Sequence, residues 1–169
     1  MFYHKIKYDD QLNGEGLRVV LFVSGCNHHC DGCHNPETWN CNSGIPFDKK
    51  AEETIFNYLE KDYIDGITFS GGDPLHPNNC IEVFLLMDKI KKKFPDKTIW
   101  LYTGYSYEEL EKTRWIKYVY EYVDVLVDGE FKKELLDIHY PYAGSTNQRI
   151  IDIKKTYYNR AVTLYDLNI

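Results

Sequence analysis

Three of the chain's five cysteines fall within one short segment, Cys26-Asn27-His28-His29-Cys30-Asp31-Gly32-Cys33. Steps of four and then three residues in a tight loop can turn three sulfurs inward around one compact object. Gly25 and Gly32 let the backbone fold closely about it. A thiolate set of this kind favours zinc or an iron–sulfur cluster. Structural zinc takes four tetrahedral ligands, usually from two separated pairs, and an electron-transfer cluster normally takes four cysteines. Here the next cysteine, Cys41, stands eight residues further on. Three ligands on a four-iron cube leave one iron open, which marks a site that binds a reactant. Two other readings stay open on spacing alone: a Cys₃His zinc site using His28, His29 or His34, and a cluster completed by Cys41. Outside such a site His28 and His29 are expected to be solvated, and Cys80 to be a small buried hydrophobe.

The composition narrows the setting of this chemistry. A chain of 169 residues is one domain by the usual prior and can bury a real core. Its 43% hydrophobic and 27% charged residues are ordinary for a soluble globular protein. A net charge of -6 argues against nucleic acid or an anionic membrane as partner. No segment approaches the roughly 18 uninterrupted apolar residues of a membrane span. The opening MFYHKIKYDD lacks the regions of a signal peptide. The expectation is a cytoplasmic protein whose cysteines are thiols or metal ligands rather than disulfides.

The elements that must position the loop follow a repeated order of apolar run, polar loop and amphipathic stretch. Arg18–Ser24, Gly66–Ser70, Thr98–Thr103 and Val123–Val127 read as strands. Helical stretches are expected at Lys50–Lys61, Asn79–Phe94 and Glu108–Arg114, with a further amphipathic stretch at Phe131–Leu136. Val83, Met87, Ile90 and Phe94 share one face of the second helix. This alternation predicts right-handed βα units on a mostly parallel sheet. A complete eight-fold barrel needs roughly 250 residues, so a partial, open (βα) barrel is expected. The stretch Lys154–Ile169 shows no clear periodicity and has no assignment.

In such a layout the cysteine loop, Gly71-Gly72-Asp73-Pro74, Thr103-Gly104-Tyr105 and Asp128-Gly129 follow successive strands. They therefore share the carboxyl-end rim where ligands bind in parallel α/β folds. Gly71 and Gly72 allow close backbone approach, and Asp73 can accept hydrogen bonds from an ammonium group. Gly-Gly-Asp-Pro is equally a good turn sequence. Thr103 and Asp128 could reach a ligand or could cap helices and turns.

The cysteine loop resembles the CxxxCxxC signature of the radical S-adenosylmethionine superfamily. The segments NGEGLRVVLFVSGCNHHCDGCHNPETWNCNSG, SGGDPLHPNN, IWLYTGY, DVLVDGEF and GSTNQRIID, in that order, look like the activating proteins of anaerobic ribonucleoside-triphosphate reductase. The likeness spans residues 13 to about 152 of a single expected domain, 1–169.

The resemblance implies a [4Fe-4S] cluster on Cys26, Cys30 and Cys33, with S-adenosylmethionine on the open iron. It implies contacts to that cofactor from Gly32, Cys33, His34, Gly71, Gly72 and Asp73. A flavodoxin-like donor would reduce the cluster. Cleavage of S-adenosylmethionine would give a 5′-deoxyadenosyl radical, which takes hydrogen from a glycine of the reductase large subunit. An activase of another glycyl radical enzyme, of formate-lyase type, and a non-catalytic zinc module are the alternatives. Three positions depart from the family pattern: His34 where tyrosine or phenylalanine is usual, Glu15 where proline is common, and Glu130 where a basic residue is common.

Overall fold

The computed structural model describes residues 1–167. Its regular elements are β1 (Phe2–Asp10), β2 (Arg18–Val23), β3 (Ile45–Pro46), α1 (Lys49–Leu59), β4 (Gly66–Gly71) and α2 (Cys80–Lys93). There follow β5 (Thr98–Tyr102), α3 (Tyr107–Leu110), α4 (Ile116–Tyr122), β6 (Val125–Asp128), β7 (Arg149–Asp152) and α5 (Ile153–Asn159). The seven strands form one open sheet in the order β3-β1-β2-β4-β5-β6-β7.

The centre of the sheet, β2-β4-β5-β6, is parallel. These strands are almost wholly buried, which is why their sequences read as continuous apolar, β-branched runs. The centre bears out the expected parallel sheet, and the flanks make the whole sheet mixed: β1, β3 and β7 all pair antiparallel. The reason lies in the connections. Only residues 11–17 join β1 to β2, too few for a parallel crossover.

The helices cover one face of the sheet. Val19, Leu21, Val23, Ile67, Phe69, Ile99 and Leu101 meet Ile55, Leu59, Val83, Met87 and Ile90 in the main core. Cys80 lies in that core, as expected. Asp48 caps α1 by accepting from the Ala51 N–H at 2.9 Å, and Ser106 and Glu109 form a reciprocal capping box on α3. On the opposite face Trp100, Val125, Val127 and Ile150 make a smaller cluster, joined by Tyr102, Tyr142 and Tyr165. At its base Arg18 is fully buried.

The stretch Phe131–Leu136 holds only a single tight turn, Lys133–Leu135. Its backbone groups pair across to Ser145 and Thr146 rather than along a helix. The unassigned tail begins inside α5, whose first turn is capped by Asp152. It then returns as an extended segment in which the Tyr165 N–H donates to the Ile150 carbonyl at 2.8 Å. Asn168 and Ile169, the end of that unassigned stretch, lie outside the described residues.

Candidate functional site

At the carboxyl ends of the parallel strands the uncovered face opens into a cavity of about 550 Å³. Cys26, Cys30, Cys33 and His34 line one side, Gly71, Gly72 and Asp73 the floor, and Tyr140–Gly144 the far wall. Seven of the eight residues expected at the site therefore face one space. Gly32 does not line it. It turns with φ +71° so closely under Lys133 that an added Cβ would lie 3.1 Å from Lys133 Cδ.

The cysteine loop is anchored at both ends. The Gly25 and Cys26 N–H groups donate to the Thr38 and Trp39 carbonyls at 2.7 and 3.0 Å. Beyond the loop the Asn35 N–H points at Cys33 Sγ, 3.4 Å away. All five cysteines are free thiols, and the three of the loop are half-buried. Burial pushes the Cys26 and Cys30 thiols above their ordinary value. Among the described residues no three His, Cys, Asp or Glu side chains gather tightly enough to hold one metal ion. Cys26, Cys30 and Cys33 all line this one cavity, and soft thiolate donors suit the iron atoms of an iron–sulfur cluster. Cys41 faces a separate recess with Trp39 and His76, and only Cys26 borders both spaces. The donor set, three free thiols on one cavity, fits a cluster held by Cys26, Cys30 and Cys33.

Gly72 is the seam between the cysteine loop and the floor. Its N–H donates to the Val23 carbonyl and the Asp73 N–H to the Gly25 carbonyl, each at 2.7 Å. A Cβ on Gly72 would stand 2.5 Å from the Gly25 oxygen. Gly71, with φ +98°, takes a backbone conformation that favours glycine.

Asp73 is 2% exposed, and its carboxylate is fully engaged. Oδ1 accepts the Leu75 N–H at 2.8 Å and Oδ2 the Gly104 N–H at 3.1 Å, while the Thr103 hydroxyl reaches both at 3.0 and 2.9 Å. The remaining partner is His28, whose Nε2 lies 2.9 Å from Oδ2. Nδ1 of the same ring is 2.8 Å from Glu130 Oε1, and Tyr105 packs against the ring edge to face at 4.7 Å. A ring facing two carboxylates donates from both nitrogens. Its hydrogen bond to Asp73, reinforced by Glu130, pushes the His28 pKa up to about 9.

His28 is thus not the solvated loop residue expected. Its environment comes from Asp73 and Glu130, 45 and 102 positions away, so no local pattern marks it. The acidic residue at position 130 was the one available signal. His29 is exposed, as expected, and stacks on Trp39 at 4.7 Å. The His34 ring lies 4.9 Å from Phe131 on the cavity wall.

Thr103 serves Asp73 and borders the cavity. Asp128 does not border it: the carboxylate accepts the Tyr107 N–H at the start of α3 and an ion pair from Arg149, which also grips Glu108. Gln148 holds the far wall, accepting from Gly144 N–H at 2.9 Å and donating to the Gly129 carbonyl at 3.0 Å. Glu15 accepts the Tyr165 hydroxyl at 2.6 Å, which gives the acid at that position a structural use.

The family of the 4Fe-4S single cluster domain matches this chain over residues 12–151. The chain is 43% identical to the anaerobic ribonucleoside-triphosphate reductase-activating protein of Enterobacteria phage T4, over 89% of this chain and 93% of that one. It is 45% identical to the protein of that name from Escherichia coli K12, over 88% and 96% of the two chains. For the Haemophilus influenzae protein of that name the identity is 44%, over 83% and 91%. No described helix is long and apolar enough to cross a membrane. With its three thiols on one cavity wall and this likeness along nearly its whole length, the chain belongs to the family of anaerobic ribonucleoside-triphosphate reductase-activating proteins.

Proposed function

We propose that this protein activates an anaerobic ribonucleoside-triphosphate reductase by radical S-adenosylmethionine chemistry, and that its open sheet is a partial (βα) barrel of the radical-SAM type forming a single domain. The observation that carries the reading is the sharing of one cavity by Cys26, Cys30, Cys33 and the Gly71-Gly72-Asp73 turn. The identity to activating proteins over nearly the whole chain supports the choice of partner.

Cys26, Cys30 and Cys33 would hold a [4Fe-4S] cluster with one iron free of protein ligands. When bound, the cluster supplies the electron that splits S-adenosylmethionine into methionine and a 5′-deoxyadenosyl radical able to take a hydrogen atom from a glycine of the reductase. The residues of the chain position and enclose. Gly71 and Gly72 admit the methionyl end close to the backbone, and Asp73 accepts from its ammonium group. Gly32 shapes the loop on the nucleoside side, and His34 with Phe131 offers ring surface there. The cavity stays open beside Leu12 and Ile138, which are 74% and 83% exposed, so a docked protein substrate completes the exclusion of water. An external one-electron donor of flavodoxin type supplies the electron.

The test is an oxygen-free mixture of the reconstituted protein, the reductase large subunit, a reductant and S-adenosylmethionine, followed by electron paramagnetic resonance. A glycyl doublet on the reductase, absent with Cys30→Ala, is the expected result. Cofactor cleavage that leaves a radical only on a formate-lyase-type enzyme would move the assignment to that partner.

A further inference from the structure

A carboxylate offers about four lone-pair positions, and those of Asp73 are all taken. The Leu75 and Gly104 N–H groups are backbone donors fixed by their turns, and Thr103 is 5% exposed at the end of β5. His28 is different. It is a side chain of the cysteine loop, its other nitrogen is on Glu130, and Glu130 is 53% exposed. The ring can leave Asp73 by turning about its own side-chain torsions. It also stands on the cavity side of Gly104, where an added Cβ would come within 2.4 Å of it.

Building on the functional reading above, in which Asp73 receives an ammonium group, we propose that His28 is a positioning residue that fills the ammonium position on Asp73 until the cofactor takes it. The buried carboxylate is never left short of a donor: the imidazole satisfies it in the free protein, and the ammonium replaces the imidazole in the complex. The apparent affinity for S-adenosylmethionine is then reduced by the small fraction of molecules in which the ring stands aside. Glu130, from the turn after β6, helps set that fraction by holding the ring over the cavity.

The experiment is equilibrium dialysis of labelled S-adenosylmethionine against the anaerobically reconstituted protein, with iron counted in every sample. His28→Ala should bind about tenfold more tightly than wild type, because no ring has to leave. Glu130→Ala, which loosens the ring but leaves it in place, should gain about two- to threefold. A residue with a merely structural role gives only losses, so the direction of change decides. Equal or weaker binding by His28→Ala at full iron loading overturns the inference. Should His28→Ala load iron poorly, Glu130→Ala decides: tighter binding supports the exchange and unchanged or weaker binding overturns it. Wild-type protein that binds no S-adenosylmethionine overturns the functional reading and this inference together. Wild-type binding without a gain in the variants overturns this inference alone.

Discussion

The two ends of β2 bury polar groups in opposite ways. At the amino end Arg18 is sealed in: its guanidinium donates to Thr68 Oγ1, Thr98 Oγ1 and the carbonyls of Glu15, Ile67 and Thr98, at 2.8 to 3.1 Å. Among the described residues no carboxylate is a hydrogen-bond partner of Arg18, and Trp100 packs against it with its ring 5.5 Å from Cζ. Burial lowers its pKa to about 10, yet every donor is used. At the carboxyl end the thiols, His28 and Asp73 face a cavity, and His28 is held through a half-exposed carboxylate. The closed end is finished by the chain alone. The open end has groups that can exchange partners, and that is what a binding site requires.

Substitutions should separate the two ends, chemistry failing at one and stability at the other. Cys30→Ala should abolish iron uptake in anaerobic reconstitution while leaving the melting of the metal-free protein nearly unchanged. Cys41→Ala, outside the main cavity, should keep the iron. Loss of iron with Cys41→Ala as complete as with Cys30→Ala would break the three-ligand assignment.

Arg18→Ala should do the reverse. Removing a buried guanidinium strands several carbonyls and hydroxyls, and the expected loss is about 3–5 kcal/mol by denaturant unfolding. An unchanged midpoint would show that the sealed end is not what holds the strands' amino ends together.

Gly72→Ala tests the seam between scaffold and site. A methyl group 2.5 Å from the Gly25 oxygen must push backbone against backbone, at a cost of about 1–3 kcal/mol. Iron retention should fall as well, because the displaced residue is next to Cys26. Retained iron with full stability would mean that the two loops slide freely.

The smallest effect lies away from both ends, at the exposed Glu108–Arg149 pair. The hydrogen bond from Arg149 lowers the Glu108 pKa from 4.5 to about 2. A lowered carboxylate stabilises the fold above its unfolded value, and the benefit fades as pH falls from about 4.5 through about 2. Solvent screening keeps it under about 1 kcal/mol. Glu108→Gln should flatten the acid limb of the stability curve in that window and leave neutral stability within the same margin.

Much of the scaffold was readable because its central strands are buried on both faces. RVVLFV, GITFSG and TIWLY carry that burial as short runs of mostly apolar, β-branched and aromatic residues, and their boundaries fall within a residue of those expected. The 14-residue α2 was readable from its apolar spacing. β1 was harder to see: FYHKIKYDD is only half-buried and rich in charge, and it becomes a strand by pairing with β2. β7 and the tail likewise depend on neighbours, β6 and Ile150, that no local pattern announces.

The sequence by itself determined the cysteine triplet, the glycine turn, the parallel centre of the sheet and the family likeness. Each of these is written in residue types a few positions apart, where chain geometry leaves little choice. Only the tertiary structure decided that His28 joins Asp73 to Glu130, that Arg18 is closed in without a carboxylate, and that Asp128 serves Arg149 and α3 rather than the cavity. Such contacts are set by which strand ends the sheet brings side by side. A hydrogen bond between residues 45 or 102 positions apart exists only once that register is formed.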